Sequence, residues 1–230
     1  MKNLLLFGLL IGLFFPVCGQ VTFQKTTPFD NCSGIRSYAN GDLLLCGAQD
    51  SCALVVKMSA SGEVIWSRRA CPTANSPSYS SLNAYDLIIT ADQRAWVLSY
   101  TNGLSAPVFS GTCFDVDGDV LWTGKLSGDM LSLFGIRTTH LRHDSDNDVW
   151  TLGLYAILEA TDTESKTYFD LTRISATDYS TWSKRVMLTA GVNGRFLING
   201  LFMTNNDHVL VFGTILKTFG FWETDYAFIL

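Results

Sequence analysis

Very little of this 230-residue chain is charged: Lys, Arg, Asp and Glu make up 16% of it, with 16 basic against 21 acidic residues. No basic cluster exceeds Arg68-Arg69 or Lys184-Arg185. That argues against nucleic acid as a partner, because neutralising phosphates needs a dense positive footprint. Long apolar runs are missing after Gly19, where Asp, Asn, Gly and Lys interrupt every stretch. No later segment therefore approaches the roughly twenty residues of a membrane span. Helical periodicity is absent outside the extreme N-terminus, since no window sustains apolar residues at i, i+3, i+4 and i+7. The chain also lacks H-E-x-x-H, G-x-S-x-G, a P-loop and G-x-G-x-x-G, so no catalytic residue can be assigned from a motif.

What is present begins with an export signal. Lys2 supplies a positive start and Leu4 to Phe15 an unbroken apolar run of twelve residues. Pro16 ends the run, and Gly19 offers a small residue before an expected cut ahead of Gln20. Twelve residues are too few for an uncleaved anchor. Cys18 raises the question of lipidation, but Phe15-Pro16-Val17 is too bulky for that cleavage pattern. The expected organisation is a signal peptide over 1–19 and a β-propeller, or the N-terminal part of a larger one, over 20–230. The expected location is outside the cell or on its surface. Export permits disulfides. Five cysteines remain (Cys32, Cys46, Cys52, Cys71 and Cys113), an odd count that leaves at least one thiol free. Cys52 with Cys71 and Cys32 with Cys46 are possible bridges, buried free thiols are equally compatible, and no pair has CxxC spacing.

An internal repeat is the strongest signal. Gly34–Tyr38, a turn through Asn40-Gly41-Asp42, and Leu43–Gly47 make one hairpin. The arrangement recurs as Tyr85–Ile89 with Ala95–Tyr100, as Ile136–Arg142 with Val149–Tyr155, and as Phe196–Met203 with Val209–Ile215. Asp, Asn and Gly between β-forming runs mark hairpins because they tolerate positive φ. Each unit has a second hairpin: Leu54–Met58 with Val64–Arg68, Val108–Phe114 with Val120–Trp122, and Tyr168–Ile174 with Thr181–Lys184. Tyr226–Leu230 begins a fourth copy. Trp66, Trp122 and Trp182 mark the last strand at intervals of 56 and 60 residues. Small residues align at Gly47, Ser99, Gly153 and Gly213, each three places after a bulky one at Leu44, Trp96, Trp150 or Leu210. Four strands per unit of roughly fifty residues is the propeller period. The expected fold is all-β, a propeller-like array of about four four-stranded antiparallel blades with the last incomplete. The bulky column is expected between blades and the small one where backbones crowd the axis.

Val21-Thr22-Phe23-Gln24-Lys25-Thr26, Asn40–Gly47 and Val55–Trp66 together resemble the repeats of large secreted bacterial proteins. In those, W-x-K-x, G-G-Y-I-x-x-G and V-x-K-L-D-x-x-G-x-x-x-W alternate. The resemblance is good over 21–70 and fades afterwards, and the usual acidic residue before the turn is Ser59 here but Asp115 in the second unit. It implies a β-propeller and export, often with a type IX sorting domain, a segment not found within these 230 residues. That family has no single activity, so no function follows. The last unit leaves two arrangements: a piece of a longer propeller, preferred because the sequence stops within an apolar strand, or a ring closed by Val21–Thr26, whose Phe23 and Lys25 match the Trp-bearing strand.

Few residues suggest chemistry. Asp115, Asp117 and Asp119, and again Asp144, Asp146 and Asp148, follow the D-x-D-x-D spacing of calcium loops. Both segments fall where the repeat requires a turn and lack the distal Glu of an EF-hand, so turn chemistry is the preferred reading and calcium the alternative. His140, His143 and His208 lie at or near turns, where solvated histidines are ordinary. Glu159 and Glu223 could join a carboxylate pair of the glycosidase type, though nothing selects them. Trp222, beside Phe219 and Phe221, is expected in a loop, where an exposed aromatic favours ligand contact. The resulting expectation is a secreted, non-enzymatic propeller that binds or scaffolds a protein or glycan, without a required cofactor. The alternative is a propeller hydrolase or lyase acting on polysaccharide, which would place acidic and aromatic side chains at one mouth of the central channel.

Overall fold

A computed structural model describes residues 29–71, 79–103, 108–126, 140–160, 164–191, 194–219 and 222–229. The expected signal segment, and the expected pairing of Val21–Thr26 with the last strand, lie outside these residues. Fifteen strands form four antiparallel sheets, each a meander of consecutive strands. The first sheet holds β1 (Asn31–Ser37), β2 (Leu43–Gln49), β3 (Cys52–Met58) and β4 (Val64–Ala70). The second holds β5 (Tyr79–Ile89), β6 (Ala95–Gly103), β7 (Val108–Phe114) and β8 (Val120–Lys125). In the third are β9 (Leu141–His143), β10 (Val149–Ala160), β11 (Glu164–Ile174) and β12 (Thr181–Gly191). The fourth has three described strands, β13 (Gly194–Met203), β14 (Val209–Phe219) and β15 (Trp222–Ile229). The opening strands β1, β5, β9 and β13 contact one another in succession. This is the propeller-like array with an incomplete last sheet that the repeat implies.

One turn recurs between the first and second strands of every sheet. Tyr38, Thr90, Asp144 and Thr204 each donate their amide to the carbonyl four residues on and accept the amide three residues on. The residue closing that inner bond is left-handed each time: Gly41 (φ 88°), Gln93 (68°), Asn147 (65°) and Asp207 (57°). A type I turn followed by a left-handed residue matches the strand twist, and Gly, Asn and Asp enter that conformation most readily. The turns also join sheets. Asn147 Oδ1 accepts the Ala91 amide at 2.8 Å, and Asp207 Oδ1 accepts the Ser145 amide at 3.0 Å. The same turn position in one sheet thus receives the same amide from the sheet before it.

Packing between sheets makes three successive cores. Leu44, Val55 and Trp66 meet Leu87, Val97 and Phe114; Trp96, Leu98 and Phe109 meet Leu141, Val149 and Ile174; Leu152 and Phe169 meet Ile198, Leu201 and Val211. The Trp column behaves unequally. Trp66 is 7% exposed and donates its indole N–H to Val116 O, in the β7–β8 turn of the next sheet, at 3.0 Å. Trp122 stacks on Tyr179 of the β11–β12 turn, centroids 6.2 Å apart. Trp182 is 50% exposed, and among the described residues the fourth sheet has no turn after β15 to meet it.

The small column lies against bulges of the opening strands. Gly47, Ser99 and Gly213 face Cys32, Ala84 and Ile198, each of which immediately precedes a bulge in the opening strand. A Cβ on Gly47 would stand 2.0 Å from Asn31 O, so the bulged backbone itself requires the small residue. Trp222 is not in a loop: it opens β15 and pairs with Phe219 in a tight hairpin. Glu223 and Asp225, weak strand formers, disguise that strand in the sequence. The third opening strand is described only over Leu141–His143 rather than from Ile136, and 136–139 lie outside the described residues.

Candidate binding pocket where the opening strands converge

A cavity of about 370 Å³ is lined by Arg36 from β1, Ile88 and Ile89 from β5, Arg142 and His143 from β9, and Phe202 and Met203 from β13. Every sheet contributes its opening strand. Four of these residues occupy one register position: Arg36 pairs with Leu44, Ile88 with Trp96, Arg142 with Trp150 and Phe202 with Leu210. The cavity is therefore ringed by the cross-strand neighbours of the bulky column. Its wall is cationic and apolar together.

Asp86 organises the polar side. Its Oδ2 accepts the Leu141 amide at 3.0 Å, and its Oδ1 accepts the Leu87 amide at 2.8 Å and an Arg36 Nη2 bond at 3.3 Å. One largely buried carboxylate so ties the first three sheets together and neutralises Arg36. Arg36 Nη1 also donates to Ile35 O at 2.8 Å. Arg142 differs. Its Nη1 donates to Leu141 O at 2.6 Å, and no carboxylate pairs with it among the described residues. His143 Nδ1 lies 3.0 Å from Asp144 O, which can only accept, so Nδ1 carries the proton and Nε2 is the free ring nitrogen.

The acidic segments lie elsewhere. Asp115 Oδ1 accepts the amides of Asp117 and Asp119 at 3.0 and 2.8 Å, and Asp144 Oδ1 accepts those of Asp146 and Asp148 at 3.1 and 2.9 Å. Asp144 Oδ2 takes the Trp150 indole N–H at 2.9 Å, while Asp148 accepts the Ala176 amide at 2.7 Å and pairs with Arg173. The first carboxylate of each segment holds its own turn. Among the described residues no group of three or more His, Cys, Asp or Glu is arranged to hold a metal ion. His140 Nε2 lies 2.9 Å from Asn199 O, joining the third and fourth sheets, and the His208 amide donates to Thr204 Oγ1 at 3.0 Å. Glu159 and Glu223 sit in strands opposite Lys166 and Thr218, in different sheets.

The cysteines resolve into one bridge, Cys52–Cys71, closing the open end of the β3–β4 hairpin. Cys32 is free and exposed, and Cys46 and Cys113 are free and buried. Desolvation pushes both buried thiols up to about 12, which removes them as nucleophiles near neutral pH.

Sequence reasoning missed Arg36, Asp86 and Arg142. A signal for two of them was available: Arg36, Ile88, Arg142 and Phe202 each stand eight residues before a member of the bulky column.

Fold and site together define an all-β, propeller-like array whose four opening strands surround a cationic and apolar pocket. No protein-family model matches the chain, and neither does any curated protein. An endo-arabinase from Bacteroides thetaiotaomicron is similar in structure, with a TM-score of 0.37 and 11% sequence identity over 89% of this chain and 94% of that one. Nothing about the chemistry of this chain follows from a likeness at that level.

Proposed function

We propose that this is an exported, non-enzymatic binding module that recognises a protein or glycan at the mouth formed by its opening strands. The observation carrying this reading is the make-up of the pocket wall. Hydrolysis of a glycosidic bond needs two carboxyl groups roughly 5 to 10 Å apart, one of them free to exchange a proton. Asp86 is bonded to the pocket residue Arg36, and two amides and that guanidinium already occupy its oxygens. A wall of Arg36, Arg142, His143, two isoleucines, Phe202 and Met203 suits recognition, with apolar area for affinity and few polar groups for orientation. Loops and strand ends held on a rigid β scaffold are a common place for such sites.

Export rests on the N-terminal segment and on the resemblance of residues 21–70 to secreted bacterial repeat proteins. No helix among the described residues is long and apolar enough to cross a membrane. The test has two arms. Mass spectrometry of the exported protein should give a mature start near Gln20, and an intact Lys2 to Phe15 segment would contradict export by cleavage. Incubation with insoluble polysaccharides and surface proteins should give retention without release of reducing ends, and release of reducing ends would overturn the non-enzymatic reading.

A further inference from the structure

We infer that the pocket is selective for a monoanionic carboxylate carried on an apolar group, an inference that rests on the pocket being the recognition site. The charge balance of the wall decides the sign. Arg36 is neutralised by Asp86 at 3.3 Å, whereas Arg142 has no carboxylate partner among the described residues. The acidic residue nearest to it in sequence, Asp144, is turned into its own hairpin and the Trp150 indole, with both oxygens accepting bonds. Among the described residues, one uncompensated guanidinium remains in a half-enclosed, partly apolar space.

That charge determines the valence of the ligand. A carboxylate brings one negative charge and a planar pair of oxygens that a guanidinium fork receives in parallel. With Nη1 held by Leu141 O, Arg142 still has Nε and Nη2 donors, and the backbone bond fixes the plane in which they lie. A phosphate monoester brings nearly two charges at neutral pH, more than the site balances. Ile88, Ile89, Phe202 and Met203 complete the wall and supply an apolar seat for the body of the ligand. Neutral sugars meet neither requirement, because they bring no charge to Arg142 and hydroxyls to the apolar side.

Phenylacetate, phenylacetamide, phenethylamine and phenyl phosphate share one ring and differ in headgroup, so they are suitable probes. Binding to the full exported chain would be followed through the Ile88 and Ile89 methyl resonances at low salt. Phenylacetate should shift both methyls and bind at least about tenfold more tightly than the amide, as expected for a charge-assisted bidentate contact. Its affinity should fall with added salt. Phenyl phosphate should bind no better than phenylacetate, and phenethylamine should not bind. Arg142→Gln should abolish the preference for the acid over the amide, with Arg142→Lys between the two. Should Arg142→Gln fail to fold, the Lys variant and the salt dependence test the same contact.

Equal binding of acid and amide would overturn carboxylate selectivity while leaving the pocket as a recognition site. Tighter binding of phenyl phosphate would overturn the valence argument alone. If no probe moved either methyl, the pocket itself would lose its assigned role. Retention of the acid preference in a folded Arg142→Gln protein would place the anion contact elsewhere and refute the inference.

Discussion

Trp66→Ala would remove the side chain that joins the first sheet to the second. Trp66 is 7% exposed, lies 5.9 Å from the Phe114 ring and packs beneath the backbone of Gly118. A buried Trp removes roughly 150–250 Å² from water, which at about 25 cal/mol per Å² corresponds to about 4–6 kcal/mol. Large-to-small core replacements of this size cost about 3–5 kcal/mol. The lost indole bond adds little, because Val116 O keeps the ammonium of Lys57 at 3.1 Å. We expect a loss of about 4 kcal/mol, a large part of the roughly 5–15 kcal/mol that holds a domain folded. Trp182→Ala is the control. At 50% exposure it has about half the buried area to lose, so its cost should stay near or below about 2 kcal/mol. Urea denaturation of both variants decides the matter, read as a midpoint shift at unchanged slope. Equal losses, or a larger loss for Trp182→Ala, would refute the account of inter-sheet covering by the next hairpin.

Gly118→Ala should cost more than Gly41→Ala. Both positions are left-handed, but a Cβ on Gly118 would stand 2.6 Å from the Trp66 ring and one on Gly41 only 3.5 Å from Ala60, so overpacking of about 1–3 kcal/mol falls on Gly118 alone. Reduction of Cys52–Cys71, 19 residues apart, should lower stability by about 3 kcal/mol on the chain-entropy estimate, measured by denaturation with and without reductant. Asp207 accepts the Ser145 amide and hydroxyl, and those bonds hold its carboxyl below the ordinary 3.8. A depressed carboxyl contributes its stability above the unfolded value and loses it as pH falls through the folded one. Asp207→Asn should therefore be destabilising at pH 7 and lose its difference from the parent as pH falls through the depressed carboxyl value, as pH-dependent melts would show. Calcium should change the melting temperature by no more than a degree or two relative to chelator. The Asp115 and Asp144 carboxylates already bond their own turns, and a shift of many degrees would contradict that.

Much of the fold was legible because its determinants are local. The turns at Asn40-Gly41, Asp115–Asp119 and Asp144–Asp148 are specified by residues that accept positive φ or bond their own backbone, and those preferences hold wherever the chain goes. The Trp column and the strand alternation are similarly one-dimensional. Strand ends were less legible. Trp222–Asp225 alternates strand formers, Trp222 and Thr224, with the weak formers Glu223 and Asp225, so pairing to β14 decides its conformation. The bulges beside the small column were not legible because a β-bulge is a property of two strands, visible only when Gly47 is set against Cys32 and Gly34. Arg36, Asp86 and Arg142 were hidden for a further reason. Each belongs to a different sheet, and the Asp86 bonds to Arg36 and to the Leu141 amide reach 50 and 55 residues along the chain.

The pocket shows how a repeat and a site divide the sequence between them. The cross-strand partners of the ring, Leu44, Trp96, Trp150 and Leu210, are all large and apolar, as packing between sheets demands. The ring positions themselves are not held to one type. In chain order they run Arg36, Ile88, Arg142 and Phe202, alternating cation and hydrocarbon. Packing alone would give four similar residues, since all four share one register position. A guanidinium at two of them is costly to enclose unless water or a partner satisfies it. At Arg36 that partner is Asp86, which also fastens three sheets. At Arg142 the Leu141 carbonyl is the one partner among the described residues. The ring therefore departs from the pattern of its own repeat most strongly at Arg142, a charged group without a counter-charge among the described residues. That residue is the place to begin any mutational test of function.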